Sequence, residues 1–154
     1  MAVVGPSEGS ADELAAAEAV GRGLAERGAV IVCGGLGGAM EAACRGAKEA
    51  GGTTLGILPG SDRRDANPYV DVAVVTGLAE GRNALVVRSA DAVVAVGGAY
   101  GTLSEIALAL RAGMPVIGLG TWELGRRGRP DEAILRAASA EEAVGLTLGA
   151  LPGS

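Results

Sequence analysis

The chain has 154 residues, of which 49% are hydrophobic, 27 are glycine and none is histidine, and its formal net charge is −5. Without histidine, a Ser-His-Asp triad, an HExxH zinc helix and an imidazole general base are excluded. The acidic balance, with no long basic stripe, disfavours a duplex nucleic-acid binder, because such proteins neutralise many phosphates. We therefore predict no nucleic-acid partner.

Short β-branched runs alternate with alanine-rich helical patterns along the chain, which is typical of βαβ units on a parallel sheet. These patterns predict strands at residues 2–4, 29–33, 53–58, 70–75, 91–96 and 116–119. They predict helices from 10 to about 28, 38 to about 50, 78 to 89, 102 to about 112 and, after an irregular loop at 122–129, one or two from 131 to 151. No composition break or internal repeat divides the chain. We predict one three-layer α/β/α Rossmann-like domain over residues 1–154, with a mainly parallel sheet.

Two glycine-rich turns each follow a predicted strand and lead into a helix, at Gly34–Gly38 and Gly97–Gly101. In a parallel sheet both turns lie at the same edge, where the unpaired amides and dipole of a helix N-terminus favour an anion such as phosphate. Alternatively, the glycines only allow a helix to pack close to the sheet. The anion hypothesis predicts these phosphate-binding residues: Gly34, Gly35, Gly37, Gly38, Met40, Gly97, Gly98, Ala99, Tyr100, Gly101 and Thr102.

Three Ser/Thr-x-x-Glu patterns predict helix-capping boxes, at Ser10/Glu13, Thr102/Glu105 and Ser139/Glu142. The second of these patterns continues directly from the Gly97–Gly101 turn. One interpretation of Glu105 is therefore that it only caps its own helix. The other is that its carboxylate faces a ligand at the sheet edge, and the two roles are compatible.

A longer series of motifs surrounds the two turns, at Cys33–Glu41, Gly46–Gly52, Gly56–Gly60, Asn67–Tyr69, Thr76–Gly77, Arg82–Asn83 and Ser89–Thr102. In this order the motifs resemble the LOG-like (Lonely Guy) superfamily, and most closely its bacterial branch near the molybdenum cofactor carrier proteins. The resemblance implies a Rossmann-like nucleotide-binding fold. Members are often labelled as possible lysine decarboxylases, but the sole lysine, Lys48, lies in a predicted helix and gives that label no support.

The resemblance also implies roles for individual residues. LOG phosphoribohydrolases carry PGGxGTxxE, in which turn amides hold the nucleotide phosphate and the glutamate assists departure of the base. Here Gly97 and Ala99 replace the first proline and the third residue, glycine, whereas Glu105 is retained. Arg82 matches a catalytic arginine, but the lysine that follows it in the enzymes is Asn83 here. We therefore expect a binding protein for a nucleotide or pterin phosphate, and as the alternative a nucleoside 5′-monophosphate phosphoribohydrolase with Arg82 and Glu105 as catalytic residues.

Further ligand contacts are predicted at Ser7, Tyr69 and Asn83. Tyr69 and Tyr100 lie in predicted loops, where either ring could stack on a purine or pterin or simply pack against the protein. Arg82 also has a second interpretation, as a solvated charge or an ion-pair partner on a helix.

The remaining expectations concern cofactors, partners and location. We predict no metal site and no required cofactor, with a bound nucleoside monophosphate or pterin as the small phosphorylated ligand. Cys33 and Cys44 lack metal-ligand spacing and are interpreted as reduced, small apolar residues of a cytoplasmic protein. The apolar runs are too short to span a membrane. The family resemblance implies a homodimer or homotetramer.

Overall fold

The computed structural model describes residues 1–151, which form a large sheet flanked by helices. The strands are Ala2–Val4 (β1), Ile31–Cys33 (β2), Thr54–Leu58 (β3), Val72–Val75 (β4), Val93–Val96 (β5), Val116–Leu119 (β6), Leu124–Arg126 (β7), Arg129–Asp131 (β8) and Ile134–Ala137 (β9). The α-helices are Ala11–Ala25 (α1), Ala39–Glu49 (α2), Asn83–Arg88 (α3), Tyr100–Arg111 (α4) and Ala140–Gly149 (α5), with 3₁₀ turns at Arg63–Asp65 and Ala79–Arg82.

Seven strands pair in parallel in the order β4-β3-β2-β1-β5-β6-β9. Strand β1 lies between β2 and β5, so the direction of winding reverses on either side of it. The loops that follow these three strands therefore meet at one topological switch point, where α/β folds bind ligands. The predicted fold class, a Rossmann-like α/β/α fold with a mainly parallel sheet, is confirmed.

Alternate residues of the central strands point to opposite faces of the sheet and fill two separate cores. Val3 packs with α1, α2 and α5, whereas Ala2 and Val4 pack with α3 and α4. Helices α1 and α2 approach each other closely because Gly21 and Gly46 face the partner helix. A Cβ on Gly46 would overlap the carbonyl oxygen of Glu18.

The C-terminal region differs from the predicted loop and closing helices. Residues 124–131 form an antiparallel hairpin, and Ile134–Ala137 is a parallel edge strand paired with β6. Leucine and alanine favour a helix locally, but pairing with β6 and burial of Ile134 override that preference. The closing helix is α5, and the Ser139 hydroxyl accepts a hydrogen bond from the Glu142 amide at its start.

At the starts of two helices, the structure can be compared directly with the predictions. The Ser10/Glu13 capping box is confirmed in both directions. The predicted helix at 78–89 is instead a 3₁₀ turn followed by α3.

Within residues 1–151, none of the helices combines the length and apolar character needed to cross a bilayer.

Candidate functional site

A cleft of about 180 Å³ opens at the switch point, between the loops after β1, β2 and β5 and the first turns of α4. Its lining residues are Gly5, Pro6, Ser7, Leu36, Met40, Arg82, Ala99, Gly101, Thr102 and Glu105. The structure thus brings together seven residues predicted from the sequence: Ser7, Met40, Arg82, Ala99, Gly101, Thr102 and Glu105. Gly5, Pro6 and Leu36 were missed, although the position of Gly5 directly after β1 is a usable signal for close approach.

Larger concave surfaces lie around the β7–β8 hairpin, with volumes of about 770 and 710 Å³. Residues 123–136 form their walls, and neither surface shares a residue with the cleft. The hairpin is largely exposed and leaves open space beside it. By contrast, the cleft contains side chains that are buried and polar, which makes it the better candidate for a specific site.

Arg82 ends the 3₁₀ turn before α3 and points inward, with only 8% of the residue exposed. Its Nη1 donates to Oδ1 of Asn83, and its Nη2 donates weakly to the carbonyl oxygen of Gly34 at 3.4 Å. Nη1 also lies 3.9 Å from Oε1 of Glu105. Within residues 1–151, Nε has no hydrogen-bond partner. The interpretation of Arg82 as a solvated charge is therefore wrong, whereas the ion-pair interpretation holds in part.

Glu105 lies in the second turn of α4 and is 6% exposed. Burial raises the pKa of this carboxyl from 4.5 to about 7, and the positive charge of Arg82 opposes the rise. Near neutral pH the carboxyl is therefore divided between its protonated and ionised forms. The charge of the Arg82–Glu105 pair changes accordingly, from +1 with Glu105 protonated to zero with Glu105 ionised.

Thr102 lies in the first turn of α4, because this helix begins at Tyr100 with Ala99 as its N-cap. The predicted Thr102/Glu105 capping box is therefore wrong, since a capping box needs the hydroxyl residue at the N-cap. The Thr102 side chain is buried, and its Oγ1 has no hydrogen-bond partner among the described residues. Neither Thr102 nor Glu105 is used to cap the helix.

In the first glycine-rich turn, Gly34 and Gly38 allow the neighbouring loops to pack closely behind the cleft wall. A Cβ on Gly34 would lie 2.5 Å from Nη2 of Arg82, and one on Gly38 would overlap the carbonyl oxygens of Pro6 and Ser7. The amide of Ala39, the first residue of α2, donates to the Pro6 carbonyl at 3.0 Å. Four predicted phosphate ligands therefore do not line the cleft: Gly34, Gly35, Gly37 and Gly38.

In the second glycine-rich turn, Gly97–Gly101, the first two glycines adopt backbone conformations that other residues rarely adopt. Gly97 has a φ of +58° and abuts the Glu13 carboxylate, and Gly98 has a φ of +143° and lies against Trp122. Neither residue lines the cleft, whereas Ala99, Gly101 and Thr102 do. The Tyr100 ring points to solvent, with 81% of the residue exposed.

The other predicted contacts lie elsewhere. Asn83 is buried and accepts the hydrogen bond from Arg82, so it orients the guanidinium rather than lining the cleft. Tyr69 packs against the cluster of Cys33, Met40 and Cys44, and the Arg45 guanidinium lies 5.9 Å from its ring centre. Both cysteines are free and buried.

Comparison with known proteins places the chain among sequences and structures of the same size. An uncharacterised protein of Archaeoglobus fulgidus is 42% identical over 120 residues, which are 77% of this chain and 78% of that protein. The structure of the molybdenum cofactor binding protein from the phototrophic bacterium Rippkaea orientalis is 36% identical, with a TM-score of 0.87 over 96% of this chain and 94% of that one. The molybdenum cofactor carrier protein of Chlamydomonas reinhardtii is 34% identical, with a TM-score of 0.83 over the same shares.

A more distant likeness concerns the fold alone. DNA processing protein A from Helicobacter pylori, whose structure addresses single-stranded DNA binding, is 20% identical, with a TM-score of 0.71 over 98% of this chain and 80% of that one. The absence of a nucleic-acid partner therefore stays a prediction. The model of the SLOG cluster 4 family matches residues 1–144. The chain thus belongs to the SLOG cluster 4 family, within the superfamily that includes LOG proteins.

Proposed function

We propose that this protein binds the phosphate end of a small molecule in the switch-point cleft and acts as its carrier or store. The observation that carries this proposal is a pair of buried donors that find no acceptor within residues 1–151, Nε of Arg82 and Oγ1 of Thr102, on side chains of the cleft wall. Buried polar groups are nearly always hydrogen-bonded, so such a pair marks a place for an oxygen-rich ligand or ordered water.

The N-terminus of α4 adds to this preference for anions. The first four amides of a helix have no partner within it, and the helix dipole places partial positive charge there. Two residues of that first turn, Gly101 and Thr102, line the cleft. Gly101 leaves room for close approach, because among the described residues a Cβ there would meet no atom within 4 Å outside its own helical turn. The Arg82 guanidinium lies at the same wall.

The size of the cleft favours binding of part of a ligand. Its volume of about 180 Å³ is below the ~300–1,000 Å³ of pockets that enclose whole drug-sized molecules. It therefore suits a phosphate or sugar phosphate, with a larger group outside the rim. Similarity to molybdenum cofactor binding and carrier proteins supports a pterin phosphate as this ligand. A nucleoside monophosphate shares the same phosphate chemistry.

The residues at the cleft fit the organic end of a molybdenum cofactor better than its metal. Among residues 1–151, no group of three His, Cys, Asp or Glu side chains is placed to hold a metal ion. When bound, such a cofactor would bring its own metal chemistry, and this chain would contribute donors for the phosphate. We therefore propose that any metal is carried as part of the ligand.

Binding is tested by titrating the protein with AMP and with 6-hydroxymethylpterin phosphate in a calorimeter. We expect Arg82→Gln to weaken binding at least tenfold, because it removes a charge-assisted donor. The matched control is Arg88→Gln, which makes the same change at an exposed residue of α3 and should bind normally. Thr102→Val, which replaces the hydroxyl with a methyl group, serves if the Arg82 variant is unstable. Unchanged affinity in both cleft variants would overturn the proposal.

A hydrolase is a second candidate, because a cleft carboxyl with a pKa near 7 is suited to proton transfer at neutral pH. In this proposal the N-glycosidic bond would break and water would add to C1′ of the ribose, while Glu105 stabilises positive charge on the ribose or protonates the departing base, with Arg82 beside it. Incubation with a panel of nucleoside monophosphates would then release free base and ribose 5-phosphate. Turnover that disappears in Glu105→Gln would replace the carrier proposal with the enzyme. No turnover would leave binding as the function.

We also propose that the protein forms a homo-oligomer. Large apolar side chains are exposed on the edge strand β4 and on the segment after it, including Val72, Val74 and Leu78. Their exposure in one chain is consistent with a partner surface. Light scattering of the purified protein should give a dimer or tetramer, and a monomer at micromolar concentration would contradict this.

A further inference from the structure

Two aromatic side chains lie together at the rim of the cleft. Tyr100 is the first residue of α4, and Trp122 follows β6. Their ring centres are 5.6 Å apart and their planes are inclined at 35°. The Trp122 indole N–H donates to the carbonyl oxygen of Ala99 at 3.2 Å, and Ala99 is itself part of the cleft wall. The aromatic pair therefore lies directly beside the cleft wall and is hydrogen-bonded to it.

The exposure of Tyr100 is unusual for this chain. It has only three aromatic residues, and Tyr69 is packed against the buried cysteines. Tyr100 has the largest exposed fraction of the large apolar or aromatic side chains in the described residues. A large ring held in solvent beside a cleft contributes little to folding, and such positions commonly contact ligands.

The pair has a defined backbone support and room beside it. Gly98 has a φ of +143°, and a Cβ there would lie 3.2 Å from Nε1 of Trp122, so glycine permits the indole to pack on the turn. On another side, Trp122 borders a space of about 210 Å³ lined in part by Gly118, Gly120 and Thr121. The indole is therefore partly buried: it packs against the core cluster that contains Ile106, its N–H is fixed by one hydrogen bond, and the rest of the side chain borders this space.

We infer that Tyr100 and Trp122 form a stacking platform for a flat heteroaromatic ring, a pterin or a purine, on the ligand whose phosphate occupies the cleft. This inference rests on the proposed function, since the phosphate anchors the ligand. The cleft is too small for a whole ligand of this class, so the ring lies outside it. The adjacent rim offers the exposed Tyr100 ring with the Trp122 ring packed beside it, and base–aromatic stacking tolerates different ring types.

Trp122 is the only tryptophan of the chain, so its fluorescence reports directly on this platform. The probes are inorganic sulfate, AMP and 6-hydroxymethylpterin phosphate. We expect both ring-bearing probes to change Trp122 emission, whereas sulfate leaves it unchanged. Tyr100→Ala should weaken binding of the ring-bearing probes about tenfold or more, without altering the affinity for sulfate. Tyr100→Phe should retain wild-type affinity, because it keeps the ring.

Leu85→Ala provides a matched control, since it truncates another exposed apolar side chain, on α3. The platform is overturned if Tyr100→Ala binds AMP and the pterin phosphate with wild-type affinity. It is also overturned if the affinity of Tyr100→Ala for sulfate falls as much as its affinity for the ring-bearing probes. If the wild type binds sulfate and Tyr100→Ala binds AMP and the pterin phosphate with wild-type affinity, the platform alone is refuted and the proposed function stands. If the wild type binds none of the three probes, the proposed function itself fails and the platform fails with it.

Discussion

Nη1 of Arg82 and Oε1 of Glu105 lie 3.9 Å apart in the cleft wall, and both residues are more than nine-tenths buried. Because burial raises the pKa of Glu105 to about 7, this pair changes its net charge within the physiological range. A protonated Glu105 leaves the Arg82 charge free to attract an anion. An ionised Glu105 compensates that charge and repels the anion.

Anion affinity should therefore fall as the pH rises through about 7. Sulfate is the appropriate probe, because it does not titrate in this range. In Glu105→Gln the affinity should be independent of pH and should equal or exceed that of the wild type at high pH. Calorimetric titrations at several pH values measure this. The control is Glu80→Gln at an exposed position, which should preserve the pH dependence of sulfate affinity seen in the wild type. If the sulfate affinity of Glu105→Gln still fell with rising pH, titration of Glu105 would not be the cause.

Protein stability should follow the same titration. The folded-state pKa of Glu105 lies above the reference value of 4.5, so the folded protein binds more protons between pH 4.5 and about 7. The stabilising contribution is fully present below 4.5 and is lost as the pH rises through about 7. It amounts to up to about 3 kcal/mol. In denaturant unfolding, the free energy of unfolding of the wild type should be lower at pH 8 than at pH 5, and the difference should be smaller in Glu105→Gln. Equal differences in the two proteins would show that Glu105 does not cause the loss of stability.

Gly101→Ala separates folding from ligand binding. Outside its own helical turn, a Cβ at this position meets no atom of the described chain within 4 Å, so the substitution should stabilise the protein by about 0.5 kcal/mol. The same methyl group would occupy space at the cleft and should weaken AMP binding about tenfold. Gly145→Ala in α5, also in open space, should stabilise the protein without affecting binding. Normal AMP affinity in Gly101→Ala would argue against close ligand approach at the α4 N-terminus.

The contact between α1 and α2 depends on glycine in a different way. Because a Cβ on Gly46 would overlap the backbone of Glu18, Gly46→Ala should force the helices apart. We expect a loss of about 1–3 kcal/mol in the free energy of unfolding, as for other overpacked cores. Thermal and denaturant melts measure it, with Gly145→Ala as the control. A variant of unchanged stability would show that the two helices adjust without strain.

Much of the fold follows from local patterns. Strand β1, the Ser10/Glu13 box and the mainly parallel sheet agree with the predictions from short apolar runs and capping residues. Strand β9 could not be predicted, because its four residues, Ile134–Ala137, suit a helix equally well and become a strand only by pairing with β6. The β7–β8 hairpin carries three arginines, which obscure any strand pattern.

The site was predictable in composition but not in geometry. The sequence places Arg82 and Glu105 near the sheet edge, but their burial depends on the absence of a side chain at Gly34 and on the start of α4 at Tyr100. A capping pattern such as Thr102-x-x-Glu105 cannot reveal that the helix begins two residues earlier. Trp122 was missed because it reaches the cleft rim from a loop after β6, more than twenty residues beyond the second glycine turn.

The switch-point cleft as the site of a ligand phosphate can be observed in crystals of the protein soaked with AMP. We expect phosphate density bounded by Arg82, Thr102 and the first amides of α4. A cleft that stays empty in such crystals, with AMP ordered elsewhere on the protein, would show that the phosphate site is not there.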